Sequence, residues 1–393
     1  MTSPTRVAAV AGSQVLAVVL AGCGAGGGAG DAMVRDSAGI TIVESTYRAE
    51  PMAPFTIVPE PEVQIGQLDG PAEYTFRTIT GARRLADGRI LVADIDRIHI
   101  YDAAGTHLTT FGRAGEGPGE FGRVRSVVVC GGEIIVGDFT RPHLAVFDDQ
   151  GDYLRTDPMP PSGAPFPLGL ESCTTDGAPL LRSANVFVLG APGLSDSTAV
   201  ITLMRMRGPG ALDTLAHVPS VRRDGGYPPP FSSTTLLAYR DSTIYALESD
   251  RIELRSYGYE GGLRRIARIE TTPRPVSADD LDRERTAIIE GFPEPMRAEF
   301  RADLEKLPAT ATMPAVSRMR VDPLGRAWLR PYNPRWEPED TLWSVLDADG
   351  AFAGRVALPA GLTVHEIGED YVLGVWQDEL DVSYVRLYRI VAS

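Results

Sequence analysis

The chain has 393 residues, 52 of them acidic and 38 basic, for a formal charge of −14 at pH 7. That balance argues against nucleic acid as a partner, because phosphate recognition rests on clustered basic residues, and against electrostatic attachment to anionic lipid. Lys306 is the single lysine, so almost every positive charge is a guanidinium.

From the N-terminus, residues 7–20 are mostly small and apolar after a lone Arg6. The run is too short for a membrane-spanning helix, which needs about 20 apolar residues, and it reads as a secretory signal over residues 1–22. It ends in Leu20-Ala21-Gly22-Cys23, which resembles the bacterial lipobox. The resemblance implies cleavage before Cys23, acylation of that cysteine and attachment to the cell envelope, at the outer membrane if the host is Gram-negative. Residues 23–38, with the run GAGGGAG, read as a flexible tether.

Residues 39–393 read as an all-β domain built on a repeat. Gly39 to Glu44 is a short alternating strand expected to pad an outer edge, and Glu62-Val-Gln-Ile-Gly66 has the form of a fourth strand with no first three before it. The organising unit follows in LADGRILVADIDRIHIYDAAGTHLTTFG, from Leu85 to Gly112. Asp87-Gly88 is a turn, Ile90 to Val92 suits a buried pleat, Ile98 to Tyr101 gives another strand, and Leu108 to Phe111 the next.

The first turn recurs at Gly131-Gly132, Asp176-Gly177, Asp241-Ser242, Asp322 to Gly325 and Gly368 to Asp370. Six such turns predict six blades. The final blade lacks a fourth strand before Ser393, so Glu62 to Gly66 is expected to close the ring beside the C-terminal strands, which protects the sheet edges.

Arg113 to Phe121 contains GEGPGEF, whose glycines invite a phosphate-loop reading. That reading fails, since no Lys-Ser/Thr follows, a strand rather than a helix comes next, and Glu116 and Glu120 would repel the anion. The loop is expected to be a tight crossing between blades. With LADGRILVAD and the lipobox, it resembles the six-bladed β-propeller lipoproteins of bacteria, relatives of NHL-repeat and TolB-like propellers. The resemblance implies a fold and a location but no chemistry.

Cys130 and Cys173 occupy matching places before the first turns of blades two and three; they read as a disulfide or as two buried thiols. Asp94 and Asp138, with Arg97 and Arg141 three residues on, read as turn caps with arginine partners in neighbouring blades or as channel-lining groups. Ser277 to Leu307 breaks the β pattern. Ser277 and Asp280 form a capping pair, Leu281, Ile288 and Ile289 share one helical face, and Met296, Phe300 and Leu304 share another. This insertion, residues 277–307, reads as a pad on the propeller or a lid over its channel.

In a four-stranded blade, the loops after the second and fourth strands emerge on one face. Here that face carries every long loop, and it is the expected binding face for a protein partner or small ligand. Its candidate residues are Arg222, Arg223 and Tyr227 on one loop and Tyr332, Asn333, Arg335 and Trp336 on another, types enriched at binding hot spots.

No catalytic set is legible. The alternative is a lactonase-like propeller hydrolase with a channel metal, but Asn185 and Asn333, the only asparagines, do not fall at repeated blade positions. The five histidines show no metal-ligand spacing. No cofactor and no metal ligand are expected, and the reading is a non-catalytic binding module.

Overall fold

The computed structural model describes residues 32–47, 52–138, 140–159, 168–183, 199–220 and 228–393. They form a six-bladed β-propeller with a small helical insertion. Blade 1 consists of Ile79–Arg84, Ile90–Asp94, Arg97–Tyr101 and His107–Phe111, and blade 2 of Val124–Cys130, Glu133–Asp138, His143–Phe147 and Tyr153–Pro158. Blade 3 is Gly169–Cys173, Pro179–Arg182, Ala199–Gly208 and Ala211–Ser220; blade 4 is Thr235–Arg240, Thr243–Glu248, Ile252–Gly258 and Leu263–Glu270. Blade 5 is Val316–Val321, Ala327–Pro331, Leu342–Leu346 and Phe352–Ala357, and blade 6 is Thr363–Ile367, Tyr371–Gln377 and Ser383–Ala392.

Blade 6 is completed by Val63–Ile65, which pairs antiparallel with the last strand in the register Ile65 to Val385 and Val63 to Leu387. The expected closure is therefore what ties the two ends of the ring. A second short strand, Phe55–Ile57, pairs further along the same C-terminal strand.

The N-terminal strand Ile40–Thr46 lies parallel to Leu263–Glu270 on the outer edge of blade 4, as its alternation suggested. Within the span expected to be a tether, Ala32–Ser37 is instead a strand that turns back through Ala38-Gly39 and pairs with Ile40–Thr46 as a sixth strand. Its side chains alternate too weakly to announce a strand; it forms because Ile40–Thr46 offers it an open edge.

The middle strands of a blade have a neighbouring blade on each face. Ile90–Asp94 is buried throughout and Glu133–Asp138 nearly so, and both therefore read as continuous apolar runs rather than alternating ones. The apolar side chains collect in seams between adjacent blades. Ile98, Phe111, Phe121, Val136 and Phe147 fill the seam of blades 1 and 2, while Ile65, Ile90, Tyr101, Leu373 and Val385 fill that of blades 6 and 1. Each fully buried large side chain contributes roughly 1.5–3 kcal/mol. Because the core is distributed around the ring, the axis is left to the innermost strands.

Helix α1 (Ala278–Glu290) begins with the expected capping box, in which Asp280 N donates to Ser277 Oγ and Ser277 N to Asp280 Oδ2, each at 3.1 Å. Helix α2 (Glu294–Lys306) buries Phe300 and Leu304, and Phe300 stacks on Phe292 with ring centroids 3.8 Å apart. Met296, expected on the same buried face, is 45% exposed, one turn short of where the helix meets the rest of the fold.

Candidate functional site

The axis holds a cavity of about 390 Å³ lined by residues from the innermost strand of every blade. Five of these six strands carry a register shift near the end where the strand begins. The residue left without a partner in the ladder is Thr80 in blade 1, Arg125 in blade 2, Glu171 in blade 3, Ser317 in blade 5 and His365 in blade 6. Such bulges re-aim a side chain, and Thr80, Arg125, Glu171 and His365 all line the cavity.

The strand starts are fixed by side chains from the second strands. Asp94 accepts from Thr78 N at 2.7 Å and Arg77 N at 3.1 Å, and Asp138 accepts from Gly122 N at 2.7 Å and Arg123 N at 3.2 Å. Ser249 takes the same part in blade 4, accepting from Thr234 N at 2.9 Å. These aspartates thus clamp the incoming crossing as well as their own following turn, since Asp94 also accepts from Ile95 N and Asp138 from Thr140 N. Arg141 donates to Gly115 O in the preceding crossing, while Arg97 pairs with Asp96 at 3.1 Å.

The crossing built from GEGPGEF is a closed structural unit. Glu120 accepts from Gly117 N at 2.7 Å and from Arg113 Nε at 2.6 Å, and Phe121 is fully buried against Phe147. Gly112 has φ +75°, and a Cβ there would lie 2.1 Å from the Phe121 ring, so the turn admits only glycine.

The cavity wall is rich in arginine. Arg83, Arg125, Arg182 and Arg320 line it, with Glu171 the one carboxylate among the described lining residues. Arg182 is neutralised by Glu171 at 2.8 Å; burial works against its charge, but the carboxylate outweighs that and holds it protonated. Arg83 lies 3.6 Å from Glu366, whose carboxylate is shared with the Tyr371 hydroxyl.

Arg318 and Arg320 differ. Both reach Val364 O, at 3.3 and 3.2 Å, and Arg320 also reaches Met319 O at 3.1 Å. Neither has a carboxylate within ion-pair distance among the described residues, and Arg320 Nε has no acceptor. Burial, then repulsion from Arg318 and Arg83, pushes Arg320 down to about 10. Burial and the same three guanidiniums push His365 down to about 4, so its imidazole is neutral at pH 7. The Tyr239 hydroxyl is buried beside Glu171 and Arg182 and has no hydrogen-bond partner among the described residues; burial raises it well above the ordinary phenol value.

The residues expected on the loop-rich face divide in two. Arg222, Arg223 and Tyr227 lie outside the described residues, as do Cys23 and Asn185. Tyr332 and Trp336 meet Phe231 edge-on, at 6.2 and 6.4 Å, and Arg283 of α1 lies over the Trp336 ring at 5.9 Å. The Asn333 amide is occupied inside its own loop, donating to Pro338 O at 2.9 Å and accepting from Asp340 N at 3.2 Å. Arg335 faces the buried Glu284 of α1 closely enough to oppose the upward push of burial on that carboxyl. This group braces the helical insertion, and no residue of either helix lines the axial cavity.

Cys130 and Cys173 end the innermost strands of blades 2 and 3, with Cα atoms 5.5 Å apart and their sulfurs joined. His99 and His107 both hydrogen-bond the Thr110 hydroxyl, at 2.8 and 2.7 Å, within blade 1 and away from the axis. Among the described residues, no three His, Cys, Asp or Glu side chains converge as a metal site would require.

The sequence reading missed the channel arginines. Their signal was present, as guanidiniums inside largely apolar first strands, one in VRSVVVC and two in VSRMRV.

No family model matches the sequence, and no curated protein matches it. Solved structures do align. A protein of Bacteroides fragilis inferred to be exported superposes with a TM-score of 0.54 at 13% identity, over 90% of this chain and 99% of that one. A member of the DUF4221 family from Bacteroides vulgatus gives 0.54 at 12% identity, over 86% and 99%. A gluconolactonase of Xanthomonas campestris gives 0.43 at 13% identity, over 87% and 100%. At these identities the likeness is one of fold.

Proposed function

We propose that this chain is an exported lipoprotein, anchored through Cys23, whose propeller binds a small ligand in its axial channel without transforming it. The carrying observation is the set of bulges that turn Thr80, Arg125, Glu171 and His365 into one cavity. A propeller stabilised by its inter-blade seams needs no such polar convergence at the axis. The cavity is of the size that holds metabolites, roughly 300–1,000 Å³.

This reading places binding in the channel rather than on the loop-rich face, where, of the expected residues that are described, Trp336 and Arg335 are engaged with the helical insertion. The hydrolase alternative is less well supported. It needs free oxygen ligands at the axis, whereas Glu171 and Glu366 are each engaged by arginine.

A thermal-shift screen of metabolites against the lipid-free domain tests the reading. Compounds that raise Tm for the wild type should lose their effect in Ala238→Trp, which fills the channel from blade 4. Hits that persist in that variant would place binding elsewhere and overturn the proposal.

A further inference from the structure

Resting on the channel as the binding site, we infer that its ligand is a small oxyanion, a carboxylate or a phosphate, held by Arg320 beside His365 on the cavity wall, with Arg318 adding its charge from the same strand.

Charge carries the inference. Arg318 and Arg320 are two residues apart on the innermost strand of blade 5 and converge on the same carbonyl, Val364 O in blade 6. Backbone carbonyls bear only part of a negative charge, so two guanidiniums share acceptors that cannot neutralise them. A third guanidinium, Arg83, lines the same cavity but has Glu366 at 3.6 Å. Guanidinium does not escape by deprotonation at neutral pH, and a buried charge without a counterion is costly.

The chain has 52 acidic residues, yet none of the described ones lies within ion-pair distance of this pair. Elsewhere in the same cavity it does supply one, Glu171 against Arg182 at 2.8 Å. Glu366 likewise faces Arg83 at 3.6 Å, so the uncompensated charge is that of Arg318 and Arg320.

Geometry then selects the class of anion. Guanidinium donors are planar forks suited to paired oxygens, which carboxylate and phosphate present and halide does not. The neutral His365 ring lies beside them, and the Arg320 Nε–H and Tyr239 O–H have no acceptor among the described residues. A ligand with one oxyanion and a polar body would occupy both sides of the cavity.

The rival account makes Arg318 and Arg320 purely structural, ties from blade 5 to the Val364 carbonyl of blade 6. The two accounts differ in sign. If the arginines await a counterion, Arg320→Leu removes a buried charge, so Tm of the unliganded domain stays level or rises. If they are structural ties, Tm falls.

The test is isothermal titration calorimetry and thermal melting of the lipid-free domain in a buffer of weakly coordinating ions. Citrate, inorganic phosphate, sodium chloride at matched ionic strength and uncharged glucose serve as probes. Citrate or phosphate should bind and raise Tm, chloride and glucose should not, and Arg320→Leu should weaken binding about tenfold or more, as expected for loss of charged hydrogen bonds. The citrate and phosphate arms decide between carboxylate and phosphate.

No response to either oxyanion overturns the inference. A fall in Tm for unliganded Arg320→Leu with unchanged anion binding also overturns it. Glucose or another neutral compound that binds the wild type but not Ala238→Trp would overturn the oxyanion class while leaving the channel as the binding site. Anion binding that survives Ala238→Trp would remove both.

Discussion

Arg386 Nε donates to Gln64 Oε1 at 2.8 Å across 322 residues of chain, on the strand pair that closes the ring. Beneath them Ile65 packs among Val63, Leu373 and Val385 with 1% exposure. The N-terminal segment is thus part of the last blade's sheet, and the six seams depend on its staying there.

Ile65→Ala should lower the stability of the domain by about 2–5 kcal/mol, the range for a large buried side chain cut to a methyl. Denaturant unfolding measures it. A loss below about 0.5 kcal/mol would show that closure does not depend on this strand.

Asp138 is the second test of the architecture. Burial raises its carboxyl, but the N–H groups of Gly122, Thr140 and Arg123 outweigh burial and hold it below the ordinary value. A depressed folded pKa gives stability that is present above the unfolded pKa, near 3.8, and lost as pH falls through the folded one. Asp138→Ala leaves the N–H groups of Gly122, Arg123 and Thr140 without this acceptor and should cost about 1–2 kcal/mol. Melting of the variant at pH 7 within one degree of wild type would contradict the clamp.

His99 and His365 are both pushed down to about 4, mainly by burial. Between about pH 6.5 and 4 the unfolded chain binds protons that the folded chain refuses, so stability falls as pH drops through that window. Two such shifts are together worth several kcal/mol by order of magnitude. His365→Gln should flatten the pH dependence of Tm over this interval, and an unchanged slope would contradict the assignment. An oxyanion beside His365 favours its protonated form, so binding should tighten as pH falls over the same window.

The Cys130–Cys173 bridge closes a loop of 43 residues. In the chain-entropy account, a loop of that size stabilises by about 4 kcal/mol. Alkylation with and without reductant, read by mass, should label the pair only after reduction, and Cys130→Ser should melt earlier by several degrees. Equal labelling under both conditions would show two free thiols.

Cys23→Ser should release the protein from the membrane fraction, because acylation at that residue is the anchor that the Leu20-Ala21-Gly22-Cys23 resemblance implies. A variant that still pellets after a high-salt wash would refute the lipid anchor.

Local chemistry determined much of this molecule in advance. Turn dipeptides at a repeated spacing, apolar runs between them and the stray strand at Glu62 to Gly66 were enough for six blades and their closure. The reason is that a blade is built from neighbours in sequence, with short hairpins whose turn residues are set by backbone conformation alone. The helical insertion was legible for the same reason, since its capping pair and its apolar spacing lie within a few residues of each other.

The site was not legible, because it is made of residues far apart in the chain. Arg83, Arg320 and His365 belong to blades 1, 5 and 6 and meet only when the ring closes. Alternation along a strand could not assign them either, since the bulges at Thr80, Arg125, Glu171, Ser317 and His365 reverse which side chains face the axis. Conversely, Tyr332, Asn333, Arg335 and Trp336 read as a binding surface because exposed loops carry such residues, and only the fold shows Trp336 and Arg335 against the insertion and Asn333 bonded within its own loop. The sequence determined the blades, and tertiary structure alone decided which arginines are left without a counterion.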